Sequence, residues 1–203
     1  MLELLLATHN QGKVKEYRAL LAGLPYRLVT PAEVGLTLKV PEDGTSFEEN
    51  AIAKATAYAT HSHLITLADD SGLEVEALGG EPGVYSARYA GEGASDADRI
   101  RFLLVRMQDI PWERRAARFR CVIALAWPGS ELKIFSGECR GIIVLEPSGS
   151  FGFGYDPVFF LPELGKTMAE LPAEAKNQIS HRANAAKEAR QFLERRARGE
   201  MLR

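Results

Sequence analysis

Three stretches of this chain combine residue types and spacings that could do chemistry. The first is Leu67-Ala68-Asp69-Asp70-Ser71-Gly72-Leu73. Adjacent carboxylates repel, so one of Asp69 and Asp70 takes a raised pKa unless a cation neutralises them. Oxygen donors of this kind suit a hard divalent cation such as Mg²⁺. The second is Thr8-His9-Asn10-Gln11-Gly12-Lys13, where an apolar run gives way to a helical pattern. A helix N-terminus offers backbone N–H groups and a favourable dipole to phosphate. Thr8 and Asn10 add neutral donors there, and Lys13 adds a charge. The loop nearly matches a Walker A sequence but fails it twice. Ala7 stands at the first glycine position, and Val14 replaces the magnesium-binding Ser/Thr. A plain N-capped turn with a solvated lysine fits the same residues. The third stretch, residues 148–157, interleaves glycines with Phe151, Phe153 and Tyr155. Glycine lets a backbone approach a ligand closely, and aromatic faces stack bases. A glycine-rich linker with core aromatics is the plainer alternative.

These stretches need elements to hold them. Leu64 and Ile65 lead into the acidic pair as a buried strand that ends at a polar site, where open α/β sheets bind ligands. Asp, Ser and Gly are also turn formers, so a turn is the alternative. Leu2 to Ala7 reads as a first strand. Gln11 to Leu21 has helical spacing, with Val14, Tyr17, Leu20 and Leu21 on one face. Tyr26 to Thr30 closes a βαβ pattern. Thr45-x-x-Glu48 and Ser46-x-x-Glu49 are both possible capping boxes for a second helix. Phe47, Ala51, Ala55, Tyr58 and Ala59 form its apolar face, while Asn50 and Lys54 share another. A lysine so placed is ordinarily solvated. Leu73 to Glu76 alternates like a further strand. Ser95 caps a helix over 96–107. Residues 117–127 and 131–139 form a hairpin across Pro128-Gly129-Ser130, and strands follow at 141–145 and 158–161. Ser180-His181-Arg182 opens a final helix that runs to 198.

The bulk properties narrow the function classes. At 203 residues and 46% hydrophobic content, the chain suits one domain, or one domain with two lobes. The formal net charge of -2 argues against bulk binding of DNA or RNA. No apolar run is long enough to span a bilayer. Residues 1–6 lack a basic leader and read as a strand, not a signal peptide. Cys121 and Cys139 are the two cysteines, with no Cys-x-x-Cys pair, which argues against a zinc site or a disulfide framework. Cys121 fits a buried thiol in a strand. A soluble cytoplasmic protein is the expectation.

Taken together, the sequence resembles the inosine triphosphate pyrophosphatase family, also called Ham1-like or non-canonical purine NTP pyrophosphatases. The matching segments are Ala7 to Lys13, Phe47 to Ala55, Ala68 to Leu73, Gly83 to Tyr89, Phe153 to Pro157 and Ser180 to Arg182. They cover nearly the whole chain, in order. His9 departs from the pattern, since the family usually has glycine there. The resemblance implies an α/β fold: a mixed twisted sheet with flanking helices, in two lobes around a central cleft. It implies a homodimer, and hydrolysis of ITP, dITP or XTP to monophosphate and pyrophosphate, which cleanses the nucleotide pool.

Carried onto this chain, the resemblance makes Asp70 the catalytic base, and Glu42, Asp69 and Asp70 the candidate Mg²⁺ ligands. Thr8, His9, Asn10, Gln11, Gly12, Lys13, Lys54 and Ser71 fall to the phosphate tail. Phe153, Gly154, Tyr155, Asp156, Lys176, His181 and Arg182 fall to the rest of the substrate. The chemistry is coherent, because a triphosphate brings about four negative charges for a metal and lysines to offset. Donors opposite the C6 oxygen of hypoxanthine or xanthine would reject adenine, which carries an amino group there. Arg182, with five fixed donors, is the expected reader. Guanine shares that oxygen, so its exclusion needs a wall against the 2-amino group. Maf-like pyrophosphatases are the near alternative, but generally lack the Ser180-His181-Arg182 ending. A non-catalytic nucleotide sensor is the alternative of another class, and the two acidic residues count against it.

Overall fold

The computed structural model describes residues 2–129 and 131–199. In chain order the strands are β1 (Leu2–Leu6), β2 (Tyr26–Val29), β3 (Ile65–Val75), β4 (Ala116–Ala126), β5 (Leu132–Ile143), β6 (Phe159–Leu161) and β7 (Lys166–Thr167). The helices are α1 (Gln11–Leu20), α2 (Phe47–Ser62), α3 (Asp96–Arg106), α4 (Ala173–Ile179) and α5 (His181–Ala197). The strands form one sheet in the order β2-β1-β3-β4-β5-β6-β7. β1 runs parallel to β2 and β3, while β6 runs antiparallel to β5 and β7, so the sheet is mixed.

The chain divides into two compact units. One comprises the chain to Asp70, Cys121–Gly137 and the chain from Arg182 onward; the other comprises Ser71–Arg120 and Glu138–His181. Each has its own apolar core. In the first, β1 and β4 bury Leu4, Leu6, Cys121, Ile123 and Leu125 with Tyr17 of α1 and Ala186, Ala189 and Leu193 of α5. In the second, Leu73 and Val75 pack with Leu103, Met107, Phe119, Ile143 and Phe159.

Register explains where the polar stretches emerge. Leu5 pairs with Thr66 and Leu6 with Leu67, and the Ala7 N–H donates to the Leu67 carbonyl at 2.8 Å. β1 stops at Leu6, so the chain turns into Thr8 beside the middle of β3. Asn10 then caps α1, its side-chain oxygen accepting the Lys13 N–H at 3.1 Å. Ser46, not Thr45, caps α2. Its hydroxyl accepts the Glu49 N–H, while the Glu49 carboxylate takes the Thr45 N–H at 2.7 Å.

The structure changes three readings. β3 does not end at the acidic pair; it runs on through Asp69, Asp70, Ser71 and Gly72 to Val75. Those residues are poor strand formers; β1 pairs with β3 only as far as Leu67, and β4 is the neighbour on the other edge. The strand expected from Gly141 is the end of β5. A Cβ at Gly141 would lie 2.5 Å from the Phe160 carbonyl oxygen, so the approach of β6 requires glycine there. A separate helix, α4, precedes α5, and the extended backbone of Ser180 divides them. The β4–β5 connection closes with Trp127 N–H on the Glu131 carbonyl at 2.9 Å, and Ser130 within it lies outside the described residues.

Candidate functional site

Three polar segments meet in the first unit. Lys13, on the opening turn of α1, places Nζ 3.0 Å from Asp69 Oδ2. Arg182, at the start of α5, places Nε and Nη2 3.3 Å from the same oxygen, and the Cys121 thiol donates to it at 3.7 Å. Burial alone would raise the Asp69 pKa. Lys13, Arg182 and Lys54 outweigh it and hold the carboxyl well below the ordinary range. Asp69 is therefore a fixed anion. Burial pushes the Cys121 thiol up to about 12, so it stays neutral.

Asp70 is different. Burial raises its pKa, the Glu42 carboxylate adds to the rise, and Lys54, Lys13 and the Asn50 amide oppose it. Asn50 Nδ2 donates to Asp70 Oδ2 at 2.8 Å, while Asn50 Oδ1 accepts the Gly44 N–H at 2.8 Å. The Gly44 donor fixes the amide orientation and so aims the NH₂ at Asp70. Gly44 must be glycine, since a Cβ would come within 2.6 Å of Asn50 Oδ1. Lys54, one turn along α2 on the same face, is buried instead of solvated. It pairs with the Glu42 carboxylate and donates to the Asp69 carbonyl at 2.7 Å. Desolvation works against its charge, but Glu42, Asp70 and Asp69 raise its pKa overall.

His9 turns away from this cluster. Its Nε2 meets the Tyr58 hydroxyl at 3.0 Å, and that hydroxyl donates to the Leu38 carbonyl at 2.5 Å. With the tyrosine proton committed, the imidazole N–H is the donor. The chain's departure from glycine at this position thus docks the loop on α2.

The second unit holds the glycine-aromatic segment. Asp156 Oδ2 accepts the Phe153 N–H at 2.9 Å and pairs with buried Lys176. Lys176 Nζ lies 4.8 Å from the Phe153 ring centroid. Gly154 N–H donates to Asp96 at 2.7 Å, and the Tyr155 hydroxyl donates to the Ser86 carbonyl at 2.9 Å. Gly152 and Gly154 take φ of +76° and +65°, which explains the glycines. His181 stacks on Phe119 at 4.7 Å. Phe153 is partly exposed and Phe151 is 56% exposed.

The comparisons with known proteins agree on one group. The Ham1 family model matches residues 4–192. The chain belongs to the Ham1 family. A relative named dITP/XTP pyrophosphatase from Geobacter sulfurreducens is 52% identical over 91% of this chain and 93% of its own. One of the same name from Bacillus subtilis is 49% identical over 96% of this chain and 98% of its own. Among solved structures, the Staphylococcus aureus Ham1 protein superposes with a TM-score of 0.85 at 45% identity, covering 95% of this chain and 98% of that one. A Coxiella burnetii HAM1 protein gives 0.87 at 42% identity over the same shares.

Within this Ham1 fold, several of the expected ligand contacts also bond within the protein. Arg182 is 1% exposed, and its guanidinium serves Asp69 and Glu16 Oε2, the latter at 2.6 Å. Its Nε and Nη2 atoms face Asp69, and Nη1 faces Glu16. Tyr155, Asp156 and Lys176 are likewise buried and fix Phe153 and its loop from behind. Asp69 lies among three cations, which is a poor place for a fourth. Thr8 Oγ accepts the Asn10 N–H at 3.2 Å, leaving its hydroxyl proton to donate. Gln11 and Gly12 form the first turn of α1, and Ser71 follows Asp70 within β3.

Sequence reasoning placed Asn50 on the face of Lys54 without giving it a role, and passed over Glu16. The signal for Asn50 was present: asparagine is a weak helix former, and it recurs one turn before Lys54. We expect Asn50→Ala to leave both Asp70 and the Gly44 N–H without their partner. Thermal unfolding should show a loss of about 1–3 kcal/mol, and an unchanged unfolding curve would remove Asn50 from this role.

Among the described residues, no three His, Cys, Asp or Glu side chains form a metal-holding group. The donor chemistry nonetheless fits Mg²⁺, which needs one or two carboxylates and completes its octahedron with water and substrate phosphate. Glu42 and Asp70 both act on Lys54 and supply hard oxygens.

Proposed function

We propose that this protein hydrolyses non-canonical purine nucleoside triphosphates, ITP, dITP and XTP, to monophosphate and pyrophosphate. The observation that carries the reading is the cluster around the phosphate loop. Lys13 and Lys54 converge on an acidic pair whose members are pushed in opposite directions, Asp69 down and Asp70 up. Environments that split two carboxylates assign one to charge and one to proton transfer. The names of the relatives from Geobacter and Bacillus support the same chemistry.

In this reading Lys13, Lys54, Thr8 and the first N–H groups of α1 receive the phosphate tail. Glu42 and Asp70 would hold Mg²⁺, which offsets phosphate charge and acidifies an attacking water when bound. Asp70 accepts the proton as water attacks the α-phosphorus and the bond to the bridging oxygen breaks, with pyrophosphate leaving. Asp69 keeps Lys13 in place. In the second unit, the half-exposed Phe151 ring supplies an aromatic face suited to a base. The protein acts as a cytoplasmic homodimer, which light scattering checks as twice the chain mass. No helix among the described residues is long and apolar enough to cross a membrane.

A pyrophosphate-release screen with Mg²⁺ tests the function. ITP, dITP and XTP should be turned over well, and ATP, GTP, CTP and UTP poorly. Equal rates for ITP and ATP would refute the base preference, and no release from any would refute the activity. The lysines give a finer check. Lys13→Ala and Lys54→Ala should each weaken ITP by ~1.5–3 kcal/mol, as expected for a charge-assisted contact, and leave IMP almost untouched. Equal calorimetric losses for ITP and IMP would move the lysines away from the phosphate tail.

A further inference from the structure

Glu16 is a largely buried carboxylate that the hydrolysis reading leaves without a task. It lies on α1 one turn after Lys13. Its Oε2 accepts from Arg182 Nη1 at 2.6 Å, with side-chain exposures of 12% and 2%. The other edge of the same guanidinium, Nε and Nη2, faces Asp69 Oδ2 at 3.3 Å. Lys13 Nζ reaches that oxygen more closely, at 3.0 Å. Two cations thus share one Asp69 oxygen, and a second carboxylate draws one of them back. Tyr17, the residue after Glu16, lies with its ring 5.9 Å from the Arg182 guanidinium carbon, so α1 meets Arg182 at consecutive positions.

Glu16 adds a second carboxylate to a group in which Lys13, Arg182 and Lys54 all act on Asp69. Without Glu16 the buried group carries an extra positive charge. Arg182 would then be drawn onto Asp69, because a two-pronged guanidinium–carboxylate pair is stronger than a lysine contact. Lys13 would lose its place on Asp69. We propose that Glu16 is a positioning residue for the phosphate site: by holding Arg182 it keeps Asp69 available to Lys13, and so keeps Lys13 aimed at the phosphate tail. The inference rests on the reading that Lys13 meets phosphate.

The test is a double-mutant cycle with inorganic pyrophosphate as the probe, read by calorimetry on the intact protein. Glu16→Gln keeps the shape and removes the charge. It should weaken pyrophosphate about tenfold, in the range expected for coupling through one buried network, and leave IMP affinity unchanged. In a Lys13→Ala background the same substitution should add nothing. A residue that merely stabilised α1 would act equally in both backgrounds, and that result would overturn the proposal. So would unchanged pyrophosphate affinity in a folded Glu16→Gln protein. Should Glu16→Gln not fold, Arg182→Lys enters the cycle in its place, since it keeps the charge but loses the two-edged fork. Pyrophosphate binding that responds to Lys13→Ala but not to these variants defeats this proposal alone. Binding that ignores Lys13→Ala defeats the phosphate reading as well.

Discussion

Asp70→Asn should yield a folded protein that binds ITP with roughly unchanged affinity and turns it over ~10²–10⁴-fold more slowly. That range is about 3–5.5 kcal/mol on the activation barrier. The substitution keeps the size of the side chain, and an amide oxygen can still accept from Asn50. What it cannot do is take a proton or supply a full negative charge to Mg²⁺. Stability should move the other way. Burial raises the Asp70 pKa, with the Glu42 carboxylate adding to it. An acid whose folded pKa lies above its unfolded value destabilises the fold while ionised. That cost is present at neutral pH and fades as pH falls through the folded pKa. Metal-free Asp70→Asn should therefore melt no lower than the parent at pH 7, and its advantage should shrink on acidification. Wild-type kcat in the folded variant would remove Asp70 from the proton-transfer role. A lower melting temperature at pH 7 would contradict the account of its environment.

Arg115→Met should be the most damaging single change in the second unit. Arg115 is 1% exposed, and its hydrogen bonds run to backbone carbonyls. Nε donates to Ile143 at 2.7 Å, Nη1 to Met107 at 2.8 Å and Ile110 at 3.1 Å, and Nη2 to Val144 at 3.1 Å. One planar fork thus ties the end of α3 to the end of β5, and burial pulls its pKa down. Methionine keeps the aliphatic stem and removes every donor. Each buried acceptor left unmade costs about 1–3 kcal/mol, and partial relaxation brings the total to about 3–5 kcal/mol. For a chain of this size that lowers Tm by ~6–20 °C. Arg115→Lys should fall between, because an ammonium keeps the charge but cannot span four carbonyls. A shift of less than about 2 °C in Arg115→Met would show that these contacts contribute little.

Much of the fold was legible because its cause is local. The apolar run of β1, the 3.6-residue spacing of α1, the cap at Ser46 and the strand leading to Asp69 each lie within a few consecutive residues. The capped turn before α1 was visible for the same reason: a helix N-terminus is specified by the residues that begin it. Tertiary structure decided the partners of the buried polar groups. Arg182 reaches Asp69 across 113 positions and Glu16 across 166, and no periodicity encodes either meeting. Lys54 reads as a solvated lysine until Glu42 and the Asp69 carbonyl surround it. Asp156 and Lys176 show their contacts to Phe153 only in the folded chain, as Tyr155 does its bond to Ser86. The acidic pair reads as a strand end, yet β3 continues through it to Val75 beside β4, beyond its last pairing with β1 at Leu67. A polar side chain looks the same in sequence whether it faces water or a partner. Only register and long-range closure bring an opposite charge or an unpaired carbonyl within reach, and burial then makes that contact strong enough to assign the residue's role.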